Sequence, residues 1–191
     1  MSQPIDLIIA FTGGGLLAAL LSWARTERSE NRRRTHELAQ LRLERVYGPL
    51  YFLTERNINL IAHVQKIHDT TQTELSGKPW AKDEGTQSRV TESIMQTINI
   101  ANGYVSEIRK NNSEICKVLG HHYSYIFQDD SELFQRFVLD NTRLEMEHPE
   151  GSGPAMPFEV AKKLGLMRFI HPEINDLVRS RVSKLQSLVS S

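Results

Sequence analysis

Two arginine–histidine pairs are the residues of this chain whose types and spacing suit chemistry. Arg143 and His148 bracket Leu-Glu-Met-Glu, giving an R-x4-H pattern. Arg56 and His63 form an R-x6-H pattern, with Asn57 directly after the arginine. A histidine can give or take a proton near neutral pH, and an arginine can stabilise charge that develops on a phosphate. A seven-residue separation puts Arg56 and His63 on one face of a helix. A five-residue separation splays Arg143 and His148 by about 140°. Pro149 follows His148, however, and the residue before a proline tends to end a helix, where a bend can bring the ring round. Each pair also has a plain reading. Arg143 can pair with Glu147 one turn further on, and Arg56 with a neighbour on an adjacent helix. With 15 arginines and 7 histidines in the chain, chance alone supplies roughly one or two such patterns.

Other chemistry finds less footing. No two histidines stand three or four apart, so no helix face offers two imidazoles to one metal. His121 and His122 are adjacent and would point about 100° apart on a helix. The single cysteine, Cys116, cannot form an intramolecular disulfide and suits a reducing compartment. No phosphate-cradling G-x-x-x-x-G-K-[ST] sequence and no nucleophile elbow are present. No cofactor and no metal are expected.

The element that would position any of this is announced by the first 24 residues. Leu7 to Ala24 carries no charge and no proline. As a helix it spans roughly 27 Å, close to the hydrocarbon thickness of a bilayer. Arginines follow at 25, 28, 32, 33 and 34. A cleaved signal peptide would put its basic residues before the apolar run and not after it. A buried core helix would show a polar stripe, and only Thr12 and Ser22 interrupt this run. The run is therefore expected to anchor the chain in a membrane. Arg25, Arg28, Arg32, Arg33 and Arg34 outweigh Glu27 and Glu30, while only Asp6 and the amino terminus lie on the other side. The positive-inside rule then leaves the N-terminus outside a bacterial inner (plasma) membrane and the body in the cytoplasm. Topology setting is the simplest role of these arginines, and they would also lie against anionic lipid headgroups. Ala10, Gly14, Ala18 and Ser22 recur every four residues, a small-residue ridge of the kind that lets helices approach closely in lipid. That ridge predicts a homo-oligomer.

After residues 1–24 as anchor, residues 25–47 read as a basic helical stalk with a narrow stripe of Leu38, Leu41 and Val46. Gly48-Pro49 is expected to break or kink it. Residues 48–191 form the cytosolic domain, and about 165 residues after the anchor suffice for one core. Leu50, Leu53, Leu60, Ile61, Val64 and Ile67 recur at helical spacing, as do Val90, Ile94, Ile98, Ala101, Val105 and Ile108. A loop is expected over 70–86. Asn111-Asn112-Ser113 should interrupt the chain, with Ser113 capping a helix that carries Ile115, Val118, Leu119 and Ile126. Asp129-Asp130-Ser131 should cap the next, with Leu133, Phe134, Phe137, Val138 and Leu144. Residues 148–157 read as loop. A last helix starts near Pro172. No segment alternates with period two, so the fold expected is all-α: one membrane helix, a stalk and a helical bundle. Formal net charge is zero, which excludes a nucleic-acid-binding polycation.

The R-x4-H and R-x6-H patterns resemble the signature of HEPN helical domains, many of which are metal-independent ribonucleases. In that chemistry the histidine would act on the RNA 2′-hydroxyl and the arginine on the phosphate, and a dimer would complete the site. The whole layout (one N-terminal membrane helix, a charged stalk, a helical cytosolic domain, and Arg143 and His148 in its C-terminal half) resembles the small membrane accessory proteins of type VI-B CRISPR systems. That resemblance implies a homo-oligomeric pore that depolarises the host membrane in antiphage defence, in contact with lipids and with an RNA-guided effector or another cytosolic partner. Direct binding of nucleic acid stays open. The expectation is a protein that acts through the membrane rather than by catalysis. A membrane-tethered HEPN-like ribonuclease and a non-catalytic membrane scaffold are the alternatives.

Overall fold

The structure, a computed structural model, describes residues 3–76, 84–147 and 172–190, with side chains from residue 18 onward save 68, 71, 72, 74–76, 84–87 and 98. Every regular element among them is helical. The elements are α1 (Gln3–Arg42), a π-helical turn (Leu43–Tyr47), α2 (Gly48–Ser76), α3 (Glu84–His121), two 3-10 turns (Tyr123–Tyr125 and Gln128–Asp130), α4 (Ser131–Glu147) and α5 (Pro172–Val189). Among the residues searched, no helix is long and apolar enough to cross a membrane. The expected span begins at Leu7, and the side chains of its residues 7–17 lie outside those described.

Gly48-Pro49 does not break the helix. The chain passes from α1 through the π-turn into α2 with helical torsions at both Arg42 and Gly48. The physical reason is local. Pro49 has no N–H to donate and its ring crowds the carbonyl four residues back. Widening the turn just before it relieves that crowding, and the extra residue is taken up as a π-bulge. Gly48 fits the same geometry. Its N–H bonds the Leu43 carbonyl, and a Cβ there would sit 2.6 Å from that oxygen. The wide turn also lets the neighbours Val46 and Tyr47 both be fully buried, together with Leu50.

The remaining helices fold back on this rod. Arg56 meets Glu107 and His63 meets Tyr104, so α2 and α3 run antiparallel. Arg109 meets Glu145 and Cys116 meets Asn141, so α4 runs antiparallel to α3. α5 returns antiparallel along α1 and α2. Its Arg179 pairs with Glu55 at 2.6 Å, and its last turn accepts a 2.9 Å bond at the Val189 carbonyl from the His36 ring. The core lies where these elements converge: Ala39, Val46, Tyr47, Leu50, Ile115, Leu119, Ile126, Phe134, Phe137, Ile174, Val178, Val182 and Leu185. Burying a side chain of this size contributes about 1.5–3 kcal/mol. Ala39, Val46 and Tyr47 fall within the segment expected as a stalk, so the bundle begins within α1, near His36. Among the described residues, the α2–α3 hairpin buries two hydrophobic side chains outside this cluster, Val64 and Ile108.

Asn111-Asn112-Ser113 does not interrupt the chain either; α3 runs straight through it. Asparagine disfavours a helix because its side chain competes for local backbone groups. Here both amides are buried and bonded to another helix instead. Asn111 Nδ2 donates to Asn57 Oδ1 at 2.7 Å, and Asn57 Nδ2 donates to Asn112 Oδ1 at 2.8 Å. Ser113 therefore lies mid-helix and caps nothing. Asp130 is not a cap of α4 but closes the 3-10 turn before it.

Candidate functional site

The two arginine–histidine pairs have different fates. Arg143 sits on the exposed side of α4 and makes the expected one-turn ion pair, 3.7 Å from Glu147. His148 lies outside the described residues. Arg56 and His63 occupy one edge of α2 and meet α3 side chains. Arg56 Nη2 lies 3.2 Å from Glu107 Oε2, and Lys110 donates to the other oxygen of the same carboxylate at 2.9 Å. Lys110 and, to a lesser extent, Arg56 hold the Glu107 carboxyl below its usual range. The His63 ring stacks on Tyr104, with centroids 5.8 Å apart and planes within 16°. The Arg56 charge is thus offset by a carboxylate, and a phosphate would have to displace it. His63 and Arg56 share an edge, but each is engaged by a different α3 residue.

Among the residues searched, no group of three histidine, cysteine or acidic side chains could hold a metal. His121 ends α3 and His122 leaves it, their rings 6.4 Å apart. Cys116 is packed between α3 and α4. Burial pushes its thiol up to about 11, only partly offset by a hydrogen bond with Asn141. Its side chain packs against the core, where the thiolate form is disfavoured.

One buried charged cluster went unnoticed in the sequence. Asp130 is almost wholly enclosed and accepts from two sides. Tyr47 donates its hydroxyl to Oδ2 at 2.7 Å, and Arg181 of α5 reaches both oxygens at 2.5–3.1 Å. The Tyr47 oxygen itself accepts the Phe127 N–H at 3.0 Å. Arg42 and Arg181 lie over the Phe127 ring at 4.1 and 4.5 Å, and Arg42 also donates to the Tyr125 carbonyl. Burial raises the Tyr47 hydroxyl above its ordinary range, and the Asp130 hydrogen bond raises the Arg181 guanidinium. Both carboxylate oxygens are occupied, so the cluster has no free base to offer. Its work is to tie the α1–α2 rod, the 3-10 corner and α5 together. The signal in the sequence was position 181 itself. It falls three residues after Val178 and seven after Ile174, on the apolar stripe of α5, where a charge needs a partner.

The exposed part of α1 between Trp23 and the bundle carries five arginines. Arg33 pairs with Glu37 at 3.3 Å and Arg34 with Glu30 at 3.6 Å. Arg25, Arg28 and Arg32 are exposed on another side of the helix. Leu20, Leu21 and Trp23, just before them, are 59–64% exposed. Of the small-residue ridge, Ala18 and Ser22 are exposed, and the side chains of Ala10 and Gly14 lie outside those described.

No protein-family model, curated protein or solved structure matches this chain.

Proposed function

We propose that this is an oligomeric single-pass membrane protein that acts as a membrane effector or pore, with its N-terminus outside and its helical bundle in the cytoplasm. What carries the reading is the uncharged run from Leu7 to Ala24, followed at once by arginines, on a helix that enters the bundle core without a break. α1 runs unbroken from Gln3 to Arg42. Its inner end, at Ala39, is packed against α5. A displacement of the bundle is therefore passed along a rigid rod of about 1.5 Å per residue to its other end. That is the coupling an effector needs. The setting in prokaryotic, CRISPR-associated antiphage defence rests on the resemblance in layout and on Arg143 and His148. Membrane lipids and further copies of the chain are its partners, with a cytosolic protein or RNA-guided effector as the source of the trigger.

The engagement of Arg56 by Glu107 and of Arg143 by Glu147 weighs against a ribonuclease, because each arginine already has a counter-ion. The test is a membrane-potential dye in cells expressing the full chain. Expression or triggering should collapse the potential, and deletion of residues 1–24 should prevent the collapse. Metal-independent cleavage of single-stranded RNA by the full chain, lost with His148→Ala or with His63→Ala, would replace this reading with the nuclease. Neither depolarisation nor cleavage would replace it with a scaffold.

A further inference from the structure

The five arginines after the apolar run are not equivalent. Taking Arg25 as the reference, at about 100° per residue Arg28 lies about 60° to one side and Arg32 about 20° to the same side. The three share one narrow strip. Glu27, Glu30 and Glu37 all lie at least about 100° away from every one of them. The ion pairs follow that division. Arg33 and Arg34 are neutralised by Glu37 and Glu30 on the opposite side. Arg25, Arg28 and Arg32 are exposed and have no carboxylate within reach among the described residues. Exposed Leu21 stands directly above the strip, one turn before Arg25.

From this we infer that Arg25, Arg28 and Arg32 are a binding strip for the phosphate groups of anionic phospholipids, and that Arg33 and Arg34 have no part in it. The inference rests on the membrane reading above. Distances along the helix fit. If the apolar run ends at Ala24, Arg25 and Arg28 lie about 1.5 and 6 Å beyond it and Arg32 about 12 Å. A headgroup layer is roughly 5–7 Å thick on each side. Arg25 and Arg28 are within that layer, and the long side chain of Arg32 can reach back to it. Arginine is suited to the task, because its planar fork bonds two phosphate oxygens at once. Residues 25–35 of α1 are all exposed, so the bundle does not cover the strip among the described residues.

The reporter has to stand on the strip, and Leu21 does, whereas Trp23 lies about 140–180° away from its three arginines. The experiment uses the full chain carrying Leu21→Trp, Trp23→Phe and Trp80→Phe, so that position 21 holds the one tryptophan, reconstituted into vesicles of brominated phosphatidylcholine mixed with brominated or plain phosphatidylglycerol. Fluorescence quenching gives the relative binding constant of the two lipids at position 21. We expect a preference for phosphatidylglycerol of about fivefold or more at low salt, weakened by salt. Arg25→Gln/Arg28→Gln/Arg32→Gln should bring it close to one, while Arg33→Gln/Arg34→Gln should leave it in place. Equal quenching by both lipids in the parent chain, or equal losses in the two variants, overturns the strip and leaves the membrane reading standing. No quenching by any brominated lipid overturns the membrane reading itself. Binding of single-stranded RNA by the parent chain in phosphatidylcholine vesicles, lost in the triple variant without any lipid preference, would make the strip a nucleic-acid surface and also overturn the proposal.

Discussion

Arg181 and Asp130 are joined by three hydrogen bonds across the seam between α5 and the 3-10 corner, with Asp130 only 1% exposed and Arg181 18% exposed. The pair commits charge to the edge of a core built from aliphatic and aromatic side chains. Removing one partner leaves the other buried and unpaired, which typically costs about 3–5 kcal/mol. Asp130→Ala and Arg181→Met should each lower the unfolding free energy of the bundle by about that amount, read from denaturant titration. A double-mutant cycle should show strong coupling. Additive losses would mean that the two groups act separately, through packing alone.

The same cluster makes stability depend on alkaline pH. Burial raises the Tyr47 hydroxyl above its ordinary value near 10. The folded chain therefore holds this proton more tightly than the unfolded one. The contribution is complete below pH 10 and declines as pH rises above it, because the unfolded state ionises first. Cys116, raised from 9.0 to about 11, adds a slope of the same sign between those values. In a Cys116→Ser background, stability measured from pH 9 to 11.5 should fall more steeply with Tyr47 than with Tyr47→Phe. Parallel curves would show that the hydroxyl ionises equally in both states.

Much of this architecture could be read from residue types. The apolar spacing that ends in Phe137 and Leu144, or that runs from Ile174 to Leu185, is what a helix with one buried face requires, and both helices lie where that spacing puts them. Legibility failed where a residue's preference was local but its partner was distant. Asn111 and Asn112 are poor helix residues in isolation, and Asn57, more than fifty positions earlier, removes the difficulty by taking up their side chains. Asp130 resembles a cap until Tyr47 and Arg181 are placed beside it. For the candidate pairs, spacing could say that Arg56 and His63 share a helix edge. It could not say that Glu107 and Tyr104 stand opposite them.

The π-turn supplies a third prediction. A Cβ on Gly48 would come within 2.6 Å of the Leu43 carbonyl, a backbone atom that cannot swing aside. Gly48→Ala would normally stabilise a helix by roughly 0.5–1 kcal/mol. Here the sign should reverse, because the turn must tighten or shift and Val46 and Tyr47 cannot then both stay buried. We expect a loss of about 1–3 kcal/mol, the range for overpacking in a well-filled core, and a melting temperature below that of the parent. A melting temperature equal to or above the parent's would show that the wide turn is not needed.

The last prediction concerns the assembly that the proposed function requires. Lipid gives apolar side chains no incentive to cluster, so helices there associate through close backbone approach, which small residues allow. The ridge of Ala10, Gly14, Ala18 and Ser22 is the one stretch of α1 where four such residues recur at every fourth position. Ala18 and Ser22 are exposed in the single chain. Gly14→Leu/Ala18→Leu keeps the run apolar and long enough to insert, but it fills the ridge with two bulky side chains. Cross-linking in membranes should show the larger species diminished severalfold relative to the parent, with the same amount of protein in the membrane fraction. Loss of protein from that fraction would mean that insertion, and not association, had failed. An unchanged ladder would move the assembly contacts away from this helix and into the bundle, where Leu139 and Met146 on α4 are 69% and 76% exposed.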